Sequence, residues 1–266
     1  MVVRAEPNCW VIGVLISNKT QQALIEQSQL MNSNPRLKVI ELRNYLLKPG
    51  VSERFTNYFE DHFIDSQNVL CGFVLGQFRI KGEDDRFFWI RGFDDMQTRL
   101  TFLRRFYEQG EVWKQFGSGA NEMMLDSDHV YLLKPFRNES FGYDEFAKGK
   151  GIVLVEYYFA KQDRRDELAD LLEANQTSYL RSKPMLCVSE LAENDFPRLP
   201  VIQDENLLAA IAVFRDESDY QSHLSQSAGL KARVKELITN EDTLILYPSN
   251  KSFMGNTGPV LPTQAG

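Results

Sequence analysis

Two tandem βαββαβ units, their sheets facing each other around one barrel-like interior, form the α+β architecture this sequence predicts. Three observations carry it. The same order of elements occurs twice along the chain, residues at equivalent element ends match in register, and 266 residues are enough for two units of common domain size.

The elements follow in order. Lys38 to Leu47 alternates like a strand and is closed by Pro49-Gly50. Ser52 opens a helix to about Asn68, with Phe55, Tyr58, Phe59 and Phe63 on one face. Strands over Cys71 to Arg79 and Arg86 to Phe93 flank the turn-rich Lys81-Gly82-Glu83-Asp84-Asp85. A second helix spans Met96 to about Glu108, a further helical piece surrounds Trp113, and a strand from His129 to Leu133 completes the unit. The order then recurs, with strand Ile152 to Ala160, helix Arg164 to Leu180, strands Met185 to Glu190 and Leu207 to Phe214, helix Ser218 to Leu237 and strand Thr243 to Tyr247. The unit boundaries are thus 37–135 and 151–248, ferredoxin-like in element order, joined by a polar linker over 136–150. Residues 1–36 read as an appendage with a helical stretch from Gln21 to Met31, and 249–266 as a disordered tail.

Register supports the repeat more than element order does. Tyr45 and Lys48 precede Tyr158 and Lys161 by 113 positions, and Asp128-His129 precedes Asp242-Thr243 by 114. Phe93-Asp94-Asp95 matches Phe214-Arg215-Asp216 at the junction of third strand and second helix. A four-stranded antiparallel sheet with helices on one face needs a cover for the other, and a second copy supplies it as an eight-stranded barrel.

Composition narrows the function. A net charge of −7 opposes nucleic acid and anionic membrane surfaces as partners. Cys9, Cys71 and Cys187 are too few and too scattered for a disulfide framework, which suits a cytoplasmic protein. The apolar run Cys9 to Ile16 is about half the length of a membrane helix, so no membrane insertion is expected. Self-association into a homo-oligomer stays open.

The segment Glu41-Leu42-Arg43-Asn44-Tyr45-Leu46-Leu47-Lys48-Pro49-Gly50 resembles the opening strand and turn of the NIPSNAP family. Phe88-Trp89-Ile90-Arg91-Gly92-Phe93-Asp94-Asp95, with Arg99 and Trp113 following, is similar to that family's third strand and second helix. The resemblance covers about residues 38 to 135 and implies an intramolecular version of the dimeric α/β barrel, a superfamily that also holds monooxygenases of the antibiotic-biosynthesis type, muconolactone-isomerase-like proteins and haem-binding relatives. The second unit departs from the motif, with Glu156 for the arginine and Gln162-Asp163 for Pro-Gly.

Alternation on the strands places Glu41, Arg43 and Tyr45 on one face with Trp89 and Arg91, and Glu156 and Tyr158 on the matching face of the second unit. Assigning the aliphatic face to the helices turns these residues into the barrel interior. Glu41, Trp89, Arg91, Glu156 and Tyr158 are then ligand-binding candidates for a small aromatic or apolar molecule with a polar head. Arg43 and Tyr45 are candidates to stabilise charge in a reaction, and His129 the candidate general base. An alternative for the polar pairs is simple register-fixing between the sheets. No His or Cys spacing points to a metal, and no cofactor is expected. The Phe116-Gly117-Ser118-Gly119 stretch lacks the preceding strand of a dinucleotide site and reads as a helix break. A ligand binder, a cofactor-free monooxygenase or isomerase, and an interaction scaffold are the three functions compatible with this pattern.

Overall fold

The computed structural model describes residues 34–147, 151–175 and 184–255. Its first half runs β1 (Arg36–Leu37), β2 (Val39–Leu47), α1 (Ser52–His62), α2 (Ile64–Asn68), β3 (Phe73–Ile80), β4 (Glu83–Phe93), α3 (Met96–Leu103), α4 (Glu111–Asn121), β5 (Met124–Asp126), β6 (Val130–Pro135) and β7 (Phe141–Gly142). A π-helical turn over Arg104–Gln109 joins α3 to α4. The second half runs β8 (Ile152–Ala160), α5 (Arg165–Ala174), β9 (Met185–Ser189), β10 (Leu207–Phe214), α6 (Glu217–Gln226), α7 (Ala228–Leu237) and β11 (Ile238–Pro248). The stretch Gln21 to Met31 and the end of the helix expected to reach Leu180 lie outside the described residues.

Eight strands close into an antiparallel barrel in the order β4-β3-β11-β8-β10-β9-β6-β2, with β2 pairing back to β4. Each half contributes four adjacent strands, and the halves meet at β3–β11 and at β6–β9. Closure leaves the eight strands without free edges, and the helices lie outside.

The barrel interior is apolar. Ile40, Leu42, Phe88, Ile90, Val155 and Ile211 point inward, each at most 1% exposed, and strands from both halves supply the rest of this core. The assignment of Glu41, Arg43, Tyr45, Trp89, Arg91, Glu156 and Tyr158 to the interior is therefore corrected. They occupy the outward face, beneath the helices. The reason is that a closed barrel excludes water, so charge inside it would lose hydration without compensation. The first-half helices present Phe55, Phe59, Phe63, Phe102 and Phe106, whose rings seat guanidinium and indole planes better than aliphatic chains would.

Local chemistry explains the element ends. Asp95 caps α3 by accepting from the Thr98 amide at 2.7 Å, and Asp216 caps α6 by accepting from the Asp219 amide at 3.0 Å. Gly50 sits at φ +75° in the turn after β2, a conformation that favours glycine. The matching turn after β8 places Asp163 at φ 60°, which a short polar side chain tolerates. Helix α4 continues through Gly117 and Gly119 instead of breaking. A Cβ on Gly119 would stand 2.5 Å from the Tyr58 hydroxyl, so glycine there permits close packing of α4 on α1. Residues 249–255 pack on β3, where the Met254 amide donates to the Leu75 carbonyl at 2.9 Å, and the rest of the expected tail lies outside the described residues.

Candidate functional site

The first-half site grows from the outward face of β2 and β4. Antiparallel register sets Glu41 opposite Arg91 and Arg43 opposite Trp89. Alternation puts all four on the helix side with Tyr45. Their side chains converge under α1, α3 and the π turn.

Glu41 is fully buried and takes charge from three arginines. Its Oε2 accepts from Arg43 Nη1 at 2.8 Å and from Arg91 Nη2 at 2.6 Å, and its Oε1 accepts from Arg99 Nε at 2.7 Å. Burial by itself would raise the Glu41 pKa, but Arg91, Arg43 and Arg99 outweigh it and hold the carboxyl well below the usual range. Arg91 also donates to Gln67 Oε1 at 2.8 Å, and Gln67 in turn donates to the Phe63 carbonyl at 2.8 Å. Arg99 Nη1 reaches Asn194 at 3.2 Å and Asp195 at 3.4 Å.

The aromatic groups complete the arrangement. The Arg43 guanidinium carbon lies 5.4 Å from the Trp89 ring centroid, and that of Arg91 lies 5.0 Å from it. Arg43 Nε donates to the Tyr45 hydroxyl at 2.9 Å, leaving that hydroxyl's own proton to donate elsewhere. Burial pushes the Tyr45 phenol up and Arg43 partly opposes it, so the phenol is protonated near neutrality. Among the described residues, Trp89 Nε1 and Arg99 Nη2 are buried donors without a hydrogen-bond partner.

A cavity of about 220 Å³ opens beside this network. Arg43, Tyr45, Gln67, Trp89, Tyr107 and Trp113 are among its walls, and Phe196, Arg198 and Leu199 close it from the loop between β9 and β10. That loop belongs to the second half. It is fastened by the Ile202 amide donating to the Val130 carbonyl at 2.7 Å and the Leu132 amide donating to the Ile202 carbonyl at 3.3 Å.

The predicted residues thus separate into three places. Glu41, Arg43, Tyr45, Trp89 and Arg91 come together. His129 does not join them, since it precedes β6 and its ring lies 5.2 Å from Tyr131, whose side chain belongs to the barrel interior. Burial and Arg86 lower the His129 pKa. Glu156 and Tyr158 line a different cavity under α5, α6 and α7. Reasoning from sequence missed Arg99, Gln67, Tyr107 and the β9–β10 loop as site components. Arg99 carried a signal, for it stands three and four positions before Phe102 and Leu103 on the buried stripe of α3. The loop carried none, because its hydrogen bonds to Arg99 span 95 and 96 positions.

No protein-family model and no curated protein matches the chain. Solved structures do share its fold. A candidate monooxygenase from Lactobacillus acidophilus aligns over 80% of this chain and 94% of its own, with TM-score 0.54 and 13% identity. An anthrone oxidase-like protein aligns over 80% and 91%, with TM-score 0.52 and 9% identity. NIPSNAP family proteins are also among the matches. One from Agrobacterium tumefaciens is 21% identical over 38% of this chain and 89% of its own, with TM-score 0.34. The fold is that of the dimeric α/β-barrel proteins, closed here within one chain.

Proposed function

We propose, from the premise of this shared barrel fold, that the first-half cavity binds a small aromatic anion, such as a substituted benzoate or phenolate. One observation carries the reading. Three buried arginines share a single buried carboxylate next to a cavity walled by aromatic rings. Arg43, Arg91 and Arg99 exceed Glu41 by two positive charges, and an excess of buried cations favours an entering anion. Asp195 offsets part of that excess from the loop. Arg43 is the buried cation on the cavity wall, and Tyr45 and Trp89 supply donors beside it. A volume of about 220 Å³ suits a substituted single ring, since a cavity of about 150 Å³ accepts benzene.

The placement of both candidate units is part of the same reading. We take residues 37–135 and 151–248 as a tandem pair of ferredoxin-like units, supported by the equivalent caps Asp95 and Asp216 and the equivalent turn residues Gly50 and Asp163. The two halves then carry different sites, with the anion site in the first. Association between copies would engage the outer helices, because the barrel strands have no free edges.

Calorimetric titration with benzoate tests the proposal, with benzyl alcohol as the uncharged control. Benzoate should bind in a 1:1 ratio and benzyl alcohol more weakly, and Arg43→Gln should lower benzoate affinity about tenfold or more. Equal affinity for acid and alcohol, or an unchanged Arg43→Gln variant, would overturn it. A cofactor-free monooxygenase or isomerase would use the same pocket. Its distinguishing result is oxygen uptake or isomer formation with a bound phenol or anthrone, abolished by Arg43→Gln. The raised Tyr45 phenol favours hydrogen-bond donation over proton transfer and so favours a binder. An interaction scaffold has no use for the cavity.

A further inference from the structure

The second half keeps the same outward face but not the same residues. Cross-strand register sets Glu156 opposite Ala210 and Leu154 opposite Ala212, where the first half sets Arg43 opposite Trp89 and Glu41 opposite Arg91. Every strand charge of the first-half network, Glu41, Arg43 and Arg91, is therefore removed or inverted. Trp89 and Arg91 stand on the floor under the first-half helices, whereas the short Ala210 and Ala212 occupy the matching floor under α5, α6 and α7. A cavity of about 100 Å³ lies against them.

We propose that this second cavity is a separate binding site for a small primary amine carrying an apolar body, such as a short alkyl ammonium. The apolar wall comes from Leu154, Ala210 and Ala212 on the sheet and from Leu172, Leu230 and Val234 on the helices. Glu156 stands among them as the acceptor for the ammonium. Protein surrounds its carboxyl, yet it is reached from the cavity; the Tyr158 hydroxyl hydrogen-bonds to it, and among the described residues no cation lies within ion-pairing distance of it.

The remaining polar groups fit a cation. Glu241 on β11 lies on the same cavity and adds negative potential. Lys231 on α7 opposes it, and Tyr158, Tyr220 and His223 face the same region. Burial raises the Glu156 pKa, with Tyr158 and Lys231 opposing that rise and Glu241 adding to it, so an isolated carboxylate is disfavoured there and an ammonium partner relieves the penalty. A carboxylate or phosphate ligand would meet repulsion in place of that relief. This site is independent of the anion site, since no wall residue is common to the two cavities.

Isothermal titration of the full chain with propylamine, and with propan-1-ol as the uncharged isostere, tests the assignment. Propylamine should bind once per chain and more tightly than the alcohol. Glu156→Gln should weaken it about tenfold or more, the worth of a charge-assisted hydrogen bond. Ala210→Trp, which restores the bulk present at the equivalent first-half position, should abolish binding, with circular dichroism checking the fold. Should that variant fail to fold, Ala212→Leu fills the same floor in its place. Absence of propylamine binding, equal affinity for the alcohol, or unchanged affinity in Glu156→Gln would overturn the proposal.

Discussion

Two carboxylates under the helices, Glu41 on β2 and Glu156 on β8, behave in opposite ways, and the difference lies in their partners. Glu41 is ionised because three arginines surround it. Its folded-state pKa is depressed, so its stabilisation is complete above the ordinary carboxylate value of about 4.3 and is lost progressively as pH falls below that. Glu41→Gln leaves the buried Arg43 and Arg91 guanidinium groups without a counter-charge and Arg99 with Asp195 alone, and is expected to cost roughly 3–5 kcal/mol at neutral pH, measured by urea unfolding. Glu156 shows the reverse sign. Burial raises its pKa, so the folded state carries no penalty below the unfolded value and an increasing one as pH rises through the folded value. Glu156→Gln should therefore raise the urea midpoint at pH 8 and leave it unchanged at pH 4. A midpoint lowered equally at both pH values would show that Glu156 holds the fold through a contact its amide cannot replace.

At the scale of elements, the β9–β10 loop is the part that makes the first-half site a property of the whole chain. Phe196 is 5% exposed and lies 6.5 Å from Tyr107, and Asn194 and Asp195 hold Arg99 from outside. Phe196→Ala should cost about 1–3 kcal/mol, less than a core phenylalanine because the loop can settle. It should also admit protease between 190 and 206 while the barrel circular dichroism persists. Faster cleavage elsewhere, with that loop unchanged, would remove its role as a cover. Much of the frame around it was legible in sequence. The limits of Ile152–Ala160 and Leu207–Phe214 coincide with β8 and β10, because both are dense apolar runs bounded by turn residues. The companionship of Glu41, Arg43, Tyr45, Trp89 and Arg91 was legible too, since a period of two fixes which residues share a face. Which face turns inward was not, because alternation alone does not say whether helices or a second sheet cover the aliphatic side. The loop's reach across to Arg99 has no local signature at all.

At the scale of the molecule, the barrel joins two halves that share one core. The interior cluster draws Ile40, Phe88 and Leu133 from the first half and Val155, Ile211 and Leu246 from the second, all fully buried. Neither half retains a covered sheet if the other unfolds, because each four-stranded sheet uses the other as its inner face. The two should then unfold together in a single cooperative transition. The sequence supplies a reporter for each half. All three tryptophans, Trp10, Trp89 and Trp113, precede the linker, and Cys187 lies on β9 at the centre of the core. Cys187 is 0% exposed and burial pushes its thiol up to about 12, so it should react with a thiol reagent only through unfolding. Cys71, which is partly exposed, labels first and is removed by Cys71→Ser, as Cys9 is by Cys9→Ser. In urea, Cys187 labelling and tryptophan fluorescence should then give the same midpoint and the same slope. Labelling that precedes the fluorescence change would mean that the second half opens while the first stays folded, and the shared core would not be what holds the halves together.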